Sequence, residues 1–187
     1  MACLQHIMFD LETLGLDTGC TILSIGAVRF HPLDYYNVGE TFYVNIDRES
    51  CFKYGLVESV GALRWWSDPS LLEAKKKFSE PPLLDLKEAL KSFSKFYGTD
   101  GDTKLWSNSD FDVPIICHAM QKAGVYIPWK YTATRDVRTI YSLCERSVTE
   151  HITPVIEHYA LDDAIAQAYA VQEIFKKLNL KKFNGNL

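Results

Sequence analysis

No apolar run in the sequence approaches the roughly 20 residues that a helix needs to cross a bilayer, so an ordinary membrane span is excluded. The opening residues MACLQHIMFDLE lack the basic segment and long apolar stretch of a secretory leader. Internal repeats, low-complexity tracts and linkers rich in Gly, Ser or Pro are also missing. The cysteines (Cys3, Cys20, Cys51, Cys117, Cys144) are odd in number and scattered, with no C-x-x-C pair. That spacing argues against a disulfide framework or a structural zinc site and for thiols used as small hydrophobes. A cytoplasmic protein is the expectation. Basic charge is in short supply too: the formal net charge is −4. A chain held on nucleic acid mainly by a positive surface is thereby disfavoured. An enzyme working at a strand end is not, because clustered carboxylates that bind cations make a site acidic until the metals reverse its sign.

What is present describes an ordinary globular chain. Its 187 residues, 47% hydrophobic and 24% charged, fit one domain over 1–187 with a full core. Gln5–Asp10, Thr21–Phe30 and Glu40–Ile46 read as strands, the last by alternation, and together predict an antiparallel meander. Helical patterns follow at Leu56–Trp66, after the capping sequence Asp68-Pro69-Ser70, and at Leu83–Tyr97 with Leu86, Leu90 and Phe93 on its apolar side. Thr103–Trp106 predicts a strand and Asp112–Ala123 a helix stopped by Gly124. Thr134–Val137 predicts a brief strand running into a helix through Cys144. A last helix covers about Tyr159–Leu178, with Ala164, Ala168, Val171, Phe175 and Leu178 on one stripe. Five strands with helices between the later ones predict an α/β fold around a mixed sheet flanked by helices.

Three segments carry chemistry. In Phe9-Asp10-Leu11-Glu12-Thr13, strand periodicity points Asp10 and Glu12 to one face, where two carboxylates repel unless a cation lies between them. A solvent-facing strand end with two ordinary charges is the bland alternative. Ser107-Asn108-Ser109-Asp110-Phe111-Asp112-Val113-Pro114 follows a strand and opens a helix. Either Asp could merely cap that helix, or one could face the first pair. In His158-Tyr159-Ala160-Leu161-Asp162-Asp163, five residues separate His158 from Asp163 by about 7.5 Å along a helix axis. Asp163 could then hold a metal while His158 leans over an attacking water. Alternatively, Asp162 and Asp163 simply stabilise a helix N-terminus.

Taken together and in this order, D-x-E, N-x-x-F-D and H-x-A-x-x-D resemble the three exonuclease motifs of the DEDD superfamily in its histidine branch, DEDDh. These are the proofreading-exonuclease-like enzymes of ribonuclease H-like fold. Phe9-Asp10-Leu11-Glu12-Thr13-Leu14-Gly15, the tandem Trp65-Trp66 and Asp112-Val113-Pro114-Ile115 are similar to the bacterial and phage 3′–5′ exoribonucleases typified by mycobacterial ribonuclease AS. The resemblance implies that Asp10, Glu12, Asp112 and Asp163 bind two divalent cations, Mg²⁺ or Mn²⁺, and that His158 is the general base. Two such metals can activate water and stabilise the leaving 3′ oxygen, and an imidazole can take a proton near neutral pH. The motif spacings favour Asp112 over Asp110 and Asp163 over Asp162. The implied substrate is a single-stranded 3′ end, RNA ahead of DNA, released as nucleoside monophosphates without membrane involvement; the resembled ribonucleases are homodimers.

Further contacts are expected from Leu14 and Gly15, from Trp66 or Trp65 by stacking, from Asn108 and Phe111 within the second motif, and from Arg135 or Arg138 on a phosphate. Lys87, Lys91 and Lys95 form a stripe expected to be solvated. A haloacid-dehalogenase-type phosphatase is a remote rival: F-D-L-E-T has Glu for the second acid, places Thr one position early, and leaves the H-x-A-x-x-D segment unexplained. An inactive nucleic-acid-binding module and a purely structural subunit are the other rivals. Both are disfavoured because all five chemical positions are filled.

Overall fold

The computed structural model describes residues 6–99 and 103–180. Cys3, and Gln5 where the first strand is expected to start, lie outside them. The strands are β1 (His6–Thr13), β2 (Ile22–Phe30) and β3 (Val38–Ile46), followed by helices α1 (Arg48–Phe52), α2 (Val60–Trp65) and α3 (Leu72–Ser79). Then come β4 (Leu83–Leu84), α4 (Leu86–Tyr97), β5 (Lys104–Ser107), α5 (Asp112–Ala123), β6 (Thr134–Asp136), α6 (Val137–Tyr141) and α7 (Ala160–Lys177). They build one mixed sheet in the order β4-β3-β2-β1-β5-β6. β1, β2 and β3 form the antiparallel meander; β4, β5 and β6 each join in parallel.

The sheet therefore has six strands, one more than the sequence predicts. The extra strand is Leu83–Leu84, which pairs with Asn45 and Ile46 instead of opening a helix. Asp85 sets that boundary, because its side chain accepts a hydrogen bond from the Lys87 amide and caps α4. The expected helix over Leu56–Trp66 is likewise shortened. The Val57 amide donates to Gly19 and its carbonyl accepts from Thr21, so its backbone is committed to extended pairing until Ser59 caps α2. α1 is additional, capped by Asp47. α6 stops at Tyr141 rather than Cys144, and Leu178 falls just past α7 and stays exposed.

Two cores sandwich the sheet. Ile7, Phe9 and Leu11 pack with Leu90 and Phe93 of α4 and Ile116 and Met120 of α5. Met8, Val28 and Phe30 pack on the opposite side against Ala164, Ala168, Val171 and Phe175 of α7. The alanines bring α7 close to the strands. At Gly26 the contact is closest, since a Cβ there would lie 2.2 Å from the Ala160 carbonyl carbon and 2.3 Å from the Leu161 nitrogen. Gly26 pairs with Asp10 in the sheet, so this contact seats the start of α7 directly beside the first motif. No helix among the described residues is long and apolar enough to cross a membrane.

Candidate active site

Alternation along β1 separates its residues: Ile7, Phe9 and Leu11 enter the α4/α5 core, whereas Met8 enters the α7 core. Asp10 and Glu12 continue the Met8 series and emerge together at the strand's C-terminal end beside α7. Asp112 opens α5, at a turn where the Asn108 carbonyl accepts the amides of Phe111 and Asp112 at 2.8 and 3.0 Å. Asp163 lies in the first turn of α7. His158 precedes that helix with φ +63°, a left-handed conformation uncommon for a side-chain-bearing residue. Its imidazole stands edge-on to Trp65, ring centroids 4.8 Å apart.

The competing carboxylates are placed elsewhere. Asp110 is exposed, while Asp112 is fully buried. Asp162 accepts the Ile156 amide at 2.9 Å and so orders the loop before α7. His151 is exposed on that same loop.

Crowding has a clear electrostatic signature. Burial, opposed by a hydrogen bond from Gln167, pushes the Asp10 carboxyl up to about 7. Burial and then the Asp10 charge raise Asp163 to about 8. Glu12 is raised by burial and by the charges of Asp10, Asp163 and Asp112. Asp112 is raised by burial and Asp10, and among the described residues its two oxygens find no hydrogen-bond partner of good geometry, the Leu11 and Asn108 amides giving only partial compensation. Ligand atoms of Glu12, His158 and Asp163 lie within 4.8 Å of one another. Hard oxygen donors, mutually repelling and one of them orphaned in the interior, fit divalent cations.

A cleft of about 730 Å³ opens over this cluster, bordered by Asp10, Glu12, His158 and Asp163. Asp112 sits behind its wall. Of the expected substrate contacts, Asn108, Phe111 and Gly15 line the cleft. Gly15 has a packing reason as well, because a Cβ there would meet the Cys20 Cβ at 2.6 Å.

Three of the expected contacts are placed differently. Leu14 turns away into a small core with Leu23, Leu71 and Ala74. Trp66 touches the cleft but is almost wholly buried in that core, its indole N–H donating to the Thr13 carbonyl at 2.9 Å; the exposed indole is that of Trp65. Arg135 donates to the carbonyls of Thr132 and Thr134 and does not border the cleft, whereas Arg138 does.

Gly26 and Gln167 escape a motif-based reading. A glycine inside a β-branched strand signals close backbone approach, and Gln167 lies one helical turn after Asp163 on the same face.

A family model described as the 3′–5′ exoribonuclease Rv2179c-like domain matches residues 5–175. A comparison with curated protein sequences finds no match. Among solved structures, the chain is similar to the RNase domain of the yeast Pop2 protein, with a TM-score of 0.60 and 12% identity. That match covers 96% of this chain and 80% of the other, and at such identity the likeness is one of fold.

Proposed function

The chain belongs to the Rv2179c-like 3′–5′ exoribonuclease family, and from that membership we propose that it is a metal-dependent exonuclease shortening single-stranded nucleic acid from the 3′ end. RNA is the favoured substrate, DNA the alternative, and nucleoside 5′-monophosphates are the products. The observation that carries this proposal is the convergence of three buried carboxylates (Asp10, Glu12, Asp112), the half-buried Asp163 and one imidazole at and just behind the wall of an open cleft.

Asp10, Glu12, Asp112 and Asp163 would hold two divalent cations (Mg²⁺ or Mn²⁺), which would supply the Lewis acidity that in-line displacement at phosphorus needs. The chain's own side chains do the rest. His158 takes the proton of the attacking water, with its ring held edge-on by Trp65. The exposed face of Trp65 and the ring of Phe111 flank the terminal base, and stacking on such a face is worth about 1–3 kcal/mol. Arg138, the one basic side chain apart from His158 among the described residues bordering the cleft, meets the phosphate. Asn108 offers its amide to the sugar or base.

Matched 5′-labelled RNA and DNA oligomers, incubated with Mg²⁺, Mn²⁺ or EDTA, test this directly. Ladders shortening from the 3′ end only when metal is present are expected, faster on RNA. Metal-independent cleavage, or fragments arising internally, would sink the proposal. One domain over 1–187 and a homodimer belong to the same proposal, the dimer resting on the resemblance to a dimeric ribonuclease family and on exposed aromatics such as Tyr35, Tyr36 and Trp65. Sedimentation giving only a 21.3 kDa species at micromolar concentration would remove the dimer.

A further inference from the structure

α7 carries two glutamines whose surroundings differ in kind. Gln172 is completely buried and completely satisfied. Its Nε2 donates to the carbonyls of His31, Asp34 and Asn37 at 3.1, 2.8 and 2.8 Å. Its Oε1 accepts the Tyr36 amide at 2.9 Å. It is a structural clamp on the turn between β2 and β3. Gln167, five residues earlier, borders the cleft. Its Nε2 donates to Asp10 Oδ1 at 2.8 Å, and in the ionised form that would hold a cation Asp10 only accepts, so the bond then fixes which end of the amide is oxygen. The remaining Oε1 is shielded from solvent and has no hydrogen-bond partner among the described residues.

An amide oxygen is seldom buried without a donor, and here the missing donor has to sit beside the Asp10 carboxylate. Helical spacing puts Gln167 on the same face as Asp163, so the orphaned oxygen belongs to the carboxylate cluster rather than to a distant cavity. We infer that Gln167 is a positioning residue for the cation site: its nitrogen holds the Asp10 carboxylate in one orientation, and its oxygen accepts a hydrogen bond from a water carried by the bound cation. This inference rests on the metal-dependent function proposed above. Outer partners of this kind commonly set metal affinity by 10- to 100-fold.

Titration of the metal-free full-length protein with Mn²⁺, followed calorimetrically or by electron paramagnetic resonance, tests the inference without measuring turnover. Gln167→Leu removes both hydrogen bonds. Gln167→Asn keeps an amide but withdraws it by one methylene, and it answers the same question should the leucine variant fold poorly. Both are expected to bind Mn²⁺ about 10- to 100-fold more weakly than wild type. Gln172→Leu is the control: it should lower the melting temperature while leaving Mn²⁺ affinity within about twofold. Wild-type affinity in Gln167→Leu or Gln167→Asn overturns the role of Gln167 and leaves the metal site standing. Absence of Mn²⁺ binding by the wild-type protein overturns both. A Gln172→Leu variant that loses as much affinity as Gln167→Leu also overturns the inference, since the effect would then follow disturbance of α7 in general.

Discussion

The two faces of β1 are almost equally shut off from water, yet burial acts on them in opposite directions. On one, Ile7, Phe9 and Leu11 fill a core, and each buried methylene stabilises the fold by about 0.8 kcal/mol. On the other, Asp10 and Glu12 are pressed against α7 beside Asp112 and Asp163; burial disfavours the ionised form of Asp10, and burial together with the charges of Asp10, Asp163 and Asp112 disfavours that of Glu12. One strand thus shows that equal exposure carries no fixed energetic sign. The first face holds the molecule together, and the second stores repulsion that a cation can relieve.

The sharpest way to break this contrast is to truncate each face in turn. Asp10→Ala, Glu12→Ala, Asp112→Ala and Asp163→Ala should each reduce oligonucleotide hydrolysis to background, because the remaining ligands no longer hold both ions in place. In metal-free buffer they should melt at or above the wild-type temperature. Phe9→Ala, on the other face, should cost about 3–5 kcal/mol in denaturant melts. A carboxylate variant with near-normal turnover leaves the site; one as unstable as Phe9→Ala ends the contrast.

His158→Ala comes next, with an expected 10²–10⁴-fold fall in turnover. Mn²⁺ binding should persist, while His151→Ala stays nearly silent. Since the imidazole lies close enough to Glu12 and Asp163 to join a metal cluster, loss of Mn²⁺ binding in His158→Ala would recast it as a ligand.

Gly26→Ala probes how the polar face is assembled. The added methyl meets backbone of Ala160 and Leu161, which cannot rotate away, so a destabilisation of about 1–3 kcal/mol is expected. Activity should fall with it, because the displaced helix start bears Asp163 and lies next to His158. Unchanged activity and melting temperature would show that α7 tolerates lifting.

A final test of the contrast is a shift of melting temperature with pH. In the metal-free protein Asp10 and Asp163 keep their protons up to about 7 and about 8, whereas in the unfolded chain they release them near 4. Their stabilising contribution is therefore complete below pH about 4 and is lost as pH rises through about 7–8. Thermal melts should show stability falling over that window and Mg²⁺ or Mn²⁺ restoring it, because a ligand bound only to the folded state stabilises it. Asp10→Asn should flatten the metal-free slope; a slope as steep as wild type would remove Asp10 from it.

The placement of Asp10 and Glu12 on one face was legible from strand periodicity, and the spacing of the second and third motifs separated Asp112 from Asp110 and Asp163 from Asp162. Such features are local. What stayed hidden depends on contacts between distant segments. Trp65 and Trp66 are chemically identical neighbours, and only the Thr13 carbonyl, 53 positions from Trp66, decides which indole is anchored. Arg135 and Arg138 are similarly divided by the turn each finds beside it. Leu83–Leu84 is too short to show any period, and its identity as a strand comes from the neighbouring edge of β3. Gly26 and Gln167 matter because of what α7 touches, which no spacing within either segment records.

The bond from Gln167 to Asp10 joins residues 157 positions apart, and this separation has a consequence for synthesis. A chain emerging from the ribosome folds from its N-terminal end, so the sheet and its hydrophobic face can form while α7 is still untranslated. At that stage Asp10, Glu12 and Asp112 are present, but His158, Asp163 and Gln167 are not. The proposed site is thus incomplete until α7 has been made, and that helix supplies the groups that complete it.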